Sequence, residues 1–81
     1  MLIGKAFFYN KVEAVERAGS REVRMMYLES LLSLTQLSEV APELTRQGLL
    51  KLTGRYYANS PDKDIVRMCA KIMNTLVRSL E

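Results

Sequence analysis

Lys63, Arg67, Lys71 and Arg78 recur at steps of four, four and seven residues, a spacing that sets four cations on one face of a helix. Their chemistry is anion recognition. An ammonium or guanidinium donates charge-assisted hydrogen bonds to carboxylates or phosphates, and the arginine fork can grip two oxygens at once. An acidic protein segment, a nucleic-acid backbone or plain solvent would each satisfy such a row. No aromatic residue is interleaved among the four, which weighs against a single-strand nucleic-acid reader, because those proteins stack bases on rings.

The remaining reactive side chains are few. The chain has no His and one Cys, which removes Ser-His and Cys-His nucleophile pairs, most metal-ligand sets and any internal disulfide. Glu13 and Glu16 share a helical face, yet nothing around them in the sequence marks a pocket for acid-base work. Cys69 falls in an apolar stripe between Ile65 and Met73 and reads as a packing residue. The expectation is a chain that is not an enzyme and that uses no cofactor or metal.

Net charge is +3, with five basic and five acidic residues in the first forty positions and seven basic against four acidic in the rest. The opening Met-Leu-Ile-Gly-Lys-Ala-Phe-Phe-Tyr lacks a basic leader and is interrupted by Lys5, so it does not read as a secretory signal. No run approaches the roughly 20 apolar residues of a membrane span. A cytoplasmic or nuclear location is expected.

The elements that must position the cationic row repeat one another. Val23, Met26, Tyr27, Leu28, Leu31 and Leu34 map at a spacing of 42 residues onto Ile65, Met68, Cys69, Ala70, Met73 and Leu76, and Glu22 maps onto Asp64. Periods of this size belong to stacked helical repeats, in which each unit buries its apolar face on a neighbour. The pattern predicts an all-α chain of four or five helices. The first covers 3–18 and closes at Gly19-Ser20, and a second runs from Arg21 to about Leu37 with Val23, Met26, Tyr27, Leu31 and Leu34 inward. Pro42 opens a short helix that ends at Gly48. A fourth carries Leu49, Leu52, Tyr56 and Tyr57, with Gly54 inside it as a sign of close packing or a weak middle. Ser60-Pro61-Asp62 starts a long last helix, with Ser60 as its cap and Pro61 at its first position. Met26, Met68 and Met73 lie in the apolar phase of the repeat, whereas Met25 falls outside it.

The stretch from Pro42 to Leu52 with Gly48 at its corner, followed by Ser60-Pro61-Asp62 and then Ile65, Cys69, Met73 and Leu76, resembles one armadillo repeat. Residues 1–37 resemble the later part of a preceding repeat, and 38–81 a full one. The resemblance implies a single domain, a short right-handed α-solenoid piece of about two armadillo-like (ARM/HEAT-like) repeats, working as a non-enzymatic protein-protein interaction scaffold. It further implies that third helices line the binding face. Carried over by phase, that face includes Arg21, Met25, Glu29, Ser33 and Gln36, then Lys63, Arg67, Lys71, Thr75 and Arg78. Nuclear-import members of the family place Trp and Asn where this chain has Glu29, Ser33, Lys71 and Thr75, so capture of a basic localisation peptide is not expected. An acidic or phosphorylated partner segment suits Lys63, Arg67, Lys71 and Arg78 better. The alternative is a small basic helical nucleic-acid-binding domain in which Lys51 and Arg55 join the row.

Fewer than two repeats leave apolar end faces. Phe7 and Phe8 near the start, and Ile72, Val77 and Leu80 near the finish, are expected to mediate self-association, either as a homodimer across a two-fold axis or against neighbouring repeats of a longer chain.

Overall fold

The computed structural model describes residues 12–80, and of Leu80 only the backbone. Five helical segments make up the described chain, and none of it is strand: α1 (12–17), α2 (Arg21–Thr35), α3 (Ala41–Arg46), α4 (Leu49–Asn59) and α5 (Lys63–Leu80). The all-helical expectation holds. Phe7, Phe8 and the earlier part of the first expected helix lie outside the described residues.

Each helix start follows from local chemistry. Ser20 sits in extended backbone, and its hydroxyl accepts the Val23 amide at 3.2 Å, satisfying one of the four amides that a helix start leaves unpaired. At the other end α2 stops at Thr35, two residues short of the expected Leu37, where Gln36 and Leu37 donate to Ser33 and Leu34 in a tightened last turn. Pro42 lies in the first turn of α3, where its missing amide has no intrahelical use. Gly48 takes a left-handed φ of 98° and serves both neighbours, its amide bonding Thr45 behind it and its carbonyl receiving Leu52 ahead.

The corner before α5 differs from its expected form. Asp62, not Ser60, is the cap: its Oδ1 accepts the amides of Asp64 at 3.0 Å and Ile65 at 3.4 Å, and its carbonyl receives Val66. The Ser60 hydroxyl instead accepts the Asp62 amide and shapes the turn. Ser60 precedes a proline, which holds it extended at φ −74°, ψ 135°, and the helix begins only at Lys63, after Asp62.

α5 is the central element, packing on α4, α2 and α3. Along its inner stripe Ile65, Cys69, Ile72 and Leu76 are buried, meeting Leu28 and Leu31 of α2, Leu44 of α3, and Leu49 and Leu52 of α4 in one cluster. Ile72, expected on an outer apolar face, is wholly inside this core. α2 and α5 run parallel and level. Arg21 reaches Asp62 and Asp64 at their first turns, and the Ser79 hydroxyl donates to the Thr35 carbonyl at 3.5 Å near their ends.

α2 is rolled relative to the expected stripe. Leu28, Leu31 and Thr35 are buried, whereas Met26 and Tyr27 are 65% and 36% exposed. Met25, expected outward, packs partly against the core. The cause is that α5 lies on the Leu28 flank of α2, which draws that flank inward and turns the Tyr27 stripe toward the opposite edge. Gly54 is not a site of tight packing either, since a β-carbon there would meet only the Met73 sulfur, at 4.0 Å.

Candidate functional site

The seam between the parallel helices α2 and α5 gathers most of the expected binding residues. At its head the Arg21 guanidinium donates from Nε to Asp62 Oδ2 at 2.6 Å and from Nη2 to Asp62 Oδ1 at 3.3 Å and Asp64 Oδ2 at 2.7 Å. The hydrogen bond from Arg21 holds the Asp62 carboxyl below the usual carboxylate range, and the backbone amides of Asp64 and Ile65 add to that shift. The same pairing, with Asp62 foremost, raises the pKa of Arg21. Arg21 is therefore neutralised in place and leaves little positive charge for a ligand.

Below it, Met25 and Glu29 of α2 face Arg67, Met68 and Lys71 of α5 around a depression of about 420 Å³. A second depression, of about 240 Å³, continues down the seam between Leu32 and Gln36 on one side and Asn74, Thr75 and Arg78 on the other, and Lys71 borders both. Arg67, Lys71 and Arg78 are exposed and form no ion pair among the described residues. The Thr75 hydroxyl donates to the Lys71 carbonyl at 2.9 Å, so toward a ligand it is left as an acceptor.

Five of the seven expected contact residues thus share the seam: Glu29, Arg67, Lys71, Thr75 and Arg78. Lys63 does not. It borders another depression with Tyr57, Val66 and Ala70, which Arg67 also lines, because each four-residue step drifts about 40° round the helix and carries Lys63 away from the phase of Lys71. Ser33 is exposed on α2 but lines neither depression of the seam.

The other chemically capable groups are tied into the fold. Glu13 pairs with Arg17 at 3.0 Å, and Glu16 pairs with Arg55 of α4. Cys69 is buried, and desolvation pushes its thiol pKa up to about 11, which suppresses the reactive thiolate. Among the described residues, no group of three His, Cys, Asp or Glu side chains could hold a metal ion, and no helix is long and apolar enough to cross a membrane.

Two arginines carry structural roles that the sequence reading missed. Arg24 donates to the carbonyls of Val15 at 3.1 Å and Ala18 at 3.3 Å, closing the end of α1, and its guanidinium lies 5.8 Å from the centre of the Tyr56 ring. No local pattern announces this contact. The bridge from Arg21 to Asp62 and Asp64 had a usable signal, since the partners stand 41 and 43 residues apart, one either side of the repeat period. In comparisons with protein-family models, curated proteins and solved structures, nothing matches this chain.

Proposed function

We propose that this chain is a non-enzymatic protein-interaction module of armadillo-like build, in which α1–α2 and α3–α5 are successive units and the α2–α5 seam holds an extended acidic or phosphorylated segment of another protein. The build is supported by the parallel, level pairing of two helices one sequence period apart, and by the short α3 ending at a left-handed glycine.

The observation that carries the binding reading is the row Arg67, Lys71 and Arg78, exposed and unpaired along a seam whose other cation, Arg21, is already matched. At 1.5 Å per residue the row is roughly 16 Å long, the span of about six extended residues. Lys71 lies roughly 6 Å beyond Arg67 along the axis and Arg78 roughly 10 Å beyond Lys71, which suits acidic groups at the first, third and sixth positions of such a segment. Met25 and Met68 supply a pliable apolar wall at the upper end. Glu29, which forms no ion pair among the described residues, borders the same depression; it repels a phosphate backbone charged at every step, whereas a peptide can set a neutral residue there, which favours a peptide over nucleic acid.

The test is fluorescence anisotropy with a labelled six-residue peptide carrying Asp or phosphoserine at positions one, three and six. Saturable binding is expected, lost in the Arg67→Glu/Lys71→Glu double variant while the circular dichroism spectrum stays helical. Binding that survives the double reversal defeats the assignment. Tight binding of an oligonucleotide with a steep dependence on log salt concentration, and none of the peptide, replaces it with the nucleic-acid reading.

A further inference from the structure

Advancing α2 by the 42-residue period carries Leu28, Leu31 and Thr35 onto Ala70, Met73 and Val77 of α5. The first three are fully buried, on the side of α2 where the following helices lie. Their counterparts are open: Ala70 and Met73 are partly exposed, and Val77 is 49% exposed. The same shift takes Arg21, which grips the two carboxylates at the head of α5, onto Lys63, which is exposed and forms no ion pair among the described residues. Among the described residues, α5 therefore offers without a packed neighbour the flank by which α2 receives its own, with a cation at the same corner. Tyr57 of α4, 53% exposed, widens this flank.

The opposite edge of the molecule carries the matching half. Moved back by 42 residues, the buried stripe Ile65, Cys69, Ile72 and Leu76 falls on Val23, Tyr27, Ser30 and Leu34 of α2, apolar at all but Ser30. None of these four is fully buried; Val23 and Tyr27 border a depression with Ala14 and Ala18, and Met26 beside them is 65% exposed. Glu22 stands where α5 has Asp64; it is exposed, and Arg21 approaches it only to 3.9 Å.

We infer that the chain associates head to tail with a second copy of itself. The Tyr57 and Val77 flank of one molecule receives the Met26 and Tyr27 edge of the next, as α2 receives α5 inside the chain, and Lys63 reaches Glu22 across the junction. A two-fold pairing of the Val77 flank with itself is disfavoured by charge. Two facing α5 helices oppose Lys63 to its own copy if they run parallel, and to the Arg78 end if antiparallel. The head-to-tail contact does not close on itself, so association continues past the dimer as concentration rises. This inference rests on the repeat map; Met26 and Glu22 also border the upper seam depression, whereas Val77 lines neither depression of the seam.

Sedimentation equilibrium tests it on the whole chain. The weight-average mass should climb with concentration without a plateau at two copies. Val77→Asp blocks one edge and Met26→Asp the other, and each alone should weaken association about tenfold or more, because a charge is forced into an apolar contact. A mixture of the two should form a 1:1 complex through their intact edges. Lys63→Glu and Glu22→Lys, both at exposed sites, repeat the experiment by charge alone: each weakens association, and the mixture regains it. A wild-type chain that stays monomeric at every concentration overturns the inference. So does a Met26→Asp variant that still dimerises while the mixture gains nothing, the signature of a two-fold contact. Peptide binding measured on Val77→Asp separates failure of this contact from failure of the seam.

Discussion

Arg21 and Asp62 form a two-bonded ion pair, 2.6 Å and 3.3 Å, across 41 residues of chain. The aspartate in that pair is also the cap of α5, so one carboxylate both starts a helix and fixes the height at which its neighbour lies beside it. The fold is therefore sensitive to the protonation of a single group. Because Asp62 titrates below its unfolded value, the native chain binds fewer protons than the unfolded chain between the two pKa values, and stability rises with pH across that window. The contribution is complete above about pH 4, the ordinary aspartate range, and is lost as pH falls through the depressed value. Thermal unfolding of wild type and Arg21→Met from pH 2 to 7 should show a lower Tm for the variant at neutral pH, and a gap that closes in acid. A gap of constant size would detach Asp62 from the effect.

Gly54→Ala should stabilise the protein. The residue is interior to α4, where alanine is favoured over glycine by about 1 kcal/mol, and the new methyl meets only the Met73 sulfur, at an ordinary 4.0 Å. Urea denaturation should give a higher midpoint with an unchanged slope.

At Gly48 the same substitution should act in the opposite direction. Space is not the obstacle, since beyond its two chain neighbours no atom lies within 4 Å of the added β-carbon. Its φ of 98° is, and a side chain there costs about 1 to 2 kcal/mol in the left-handed region. Gly48→Asn should lose less than Gly48→Ala in the same urea titration, because asparagine tolerates that conformation better.

Cys69 should resist thiol reagents until the molecule opens. Burial and a thiol pKa pushed up to about 11 both oppose attack at pH 8. Its labelling rate should follow the global unfolding equilibrium as urea is added, and rapid labelling of the native protein would contradict the packing of α5 against its neighbours.

Most of the architecture was legible because it is written in punctuation. Gly19-Ser20, Pro42, Gly48 and Pro61 each act through their own backbone, so their effects survive any tertiary arrangement. The cap of α5 was misplaced because Ser60 and Asp62 are both good caps with extended-backbone tolerance, and the sequence does not tell that Pro61 and Asp62 form a turn outside the helix, which leaves the serine hydroxyl on the Asp62 amide and the helix amides to Asp62. The roll of α2 was hidden for a different reason. Leu28 and Tyr27 are both apolar, and which of them turns inward depends on where α5 settles, a relation between segments 42 residues apart. In the seam, the armadillo resemblance carried over by helical phase grouped Glu29, Arg67, Lys71, Thr75 and Arg78, but it could not tell which cations the fold itself would neutralise. Arg21 is spoken for by Asp62 and Asp64, and that pairing requires two helices to be level.

Gln47 and Gly48 alone join α3 to α4, and this short corner places the carbonyl end of one helix close to the amide end of the next. Aligned peptide dipoles leave up to roughly half an elementary charge of negative sign at the first and of positive sign at the second, so at this corner the two partial charges largely cancel. The composition of the helix starts follows that electrostatic map. Glu22, Glu43 and Asp64 stand in the first turns of α2, α3 and α5, whereas the first turn of α4 has no acidic residue and its start has no side-chain cap. The end of α3 already supplies the negative potential that a carboxylate provides elsewhere, and a carboxylate added there would repel the last carbonyls of α3 as it attracted the first amides of α4.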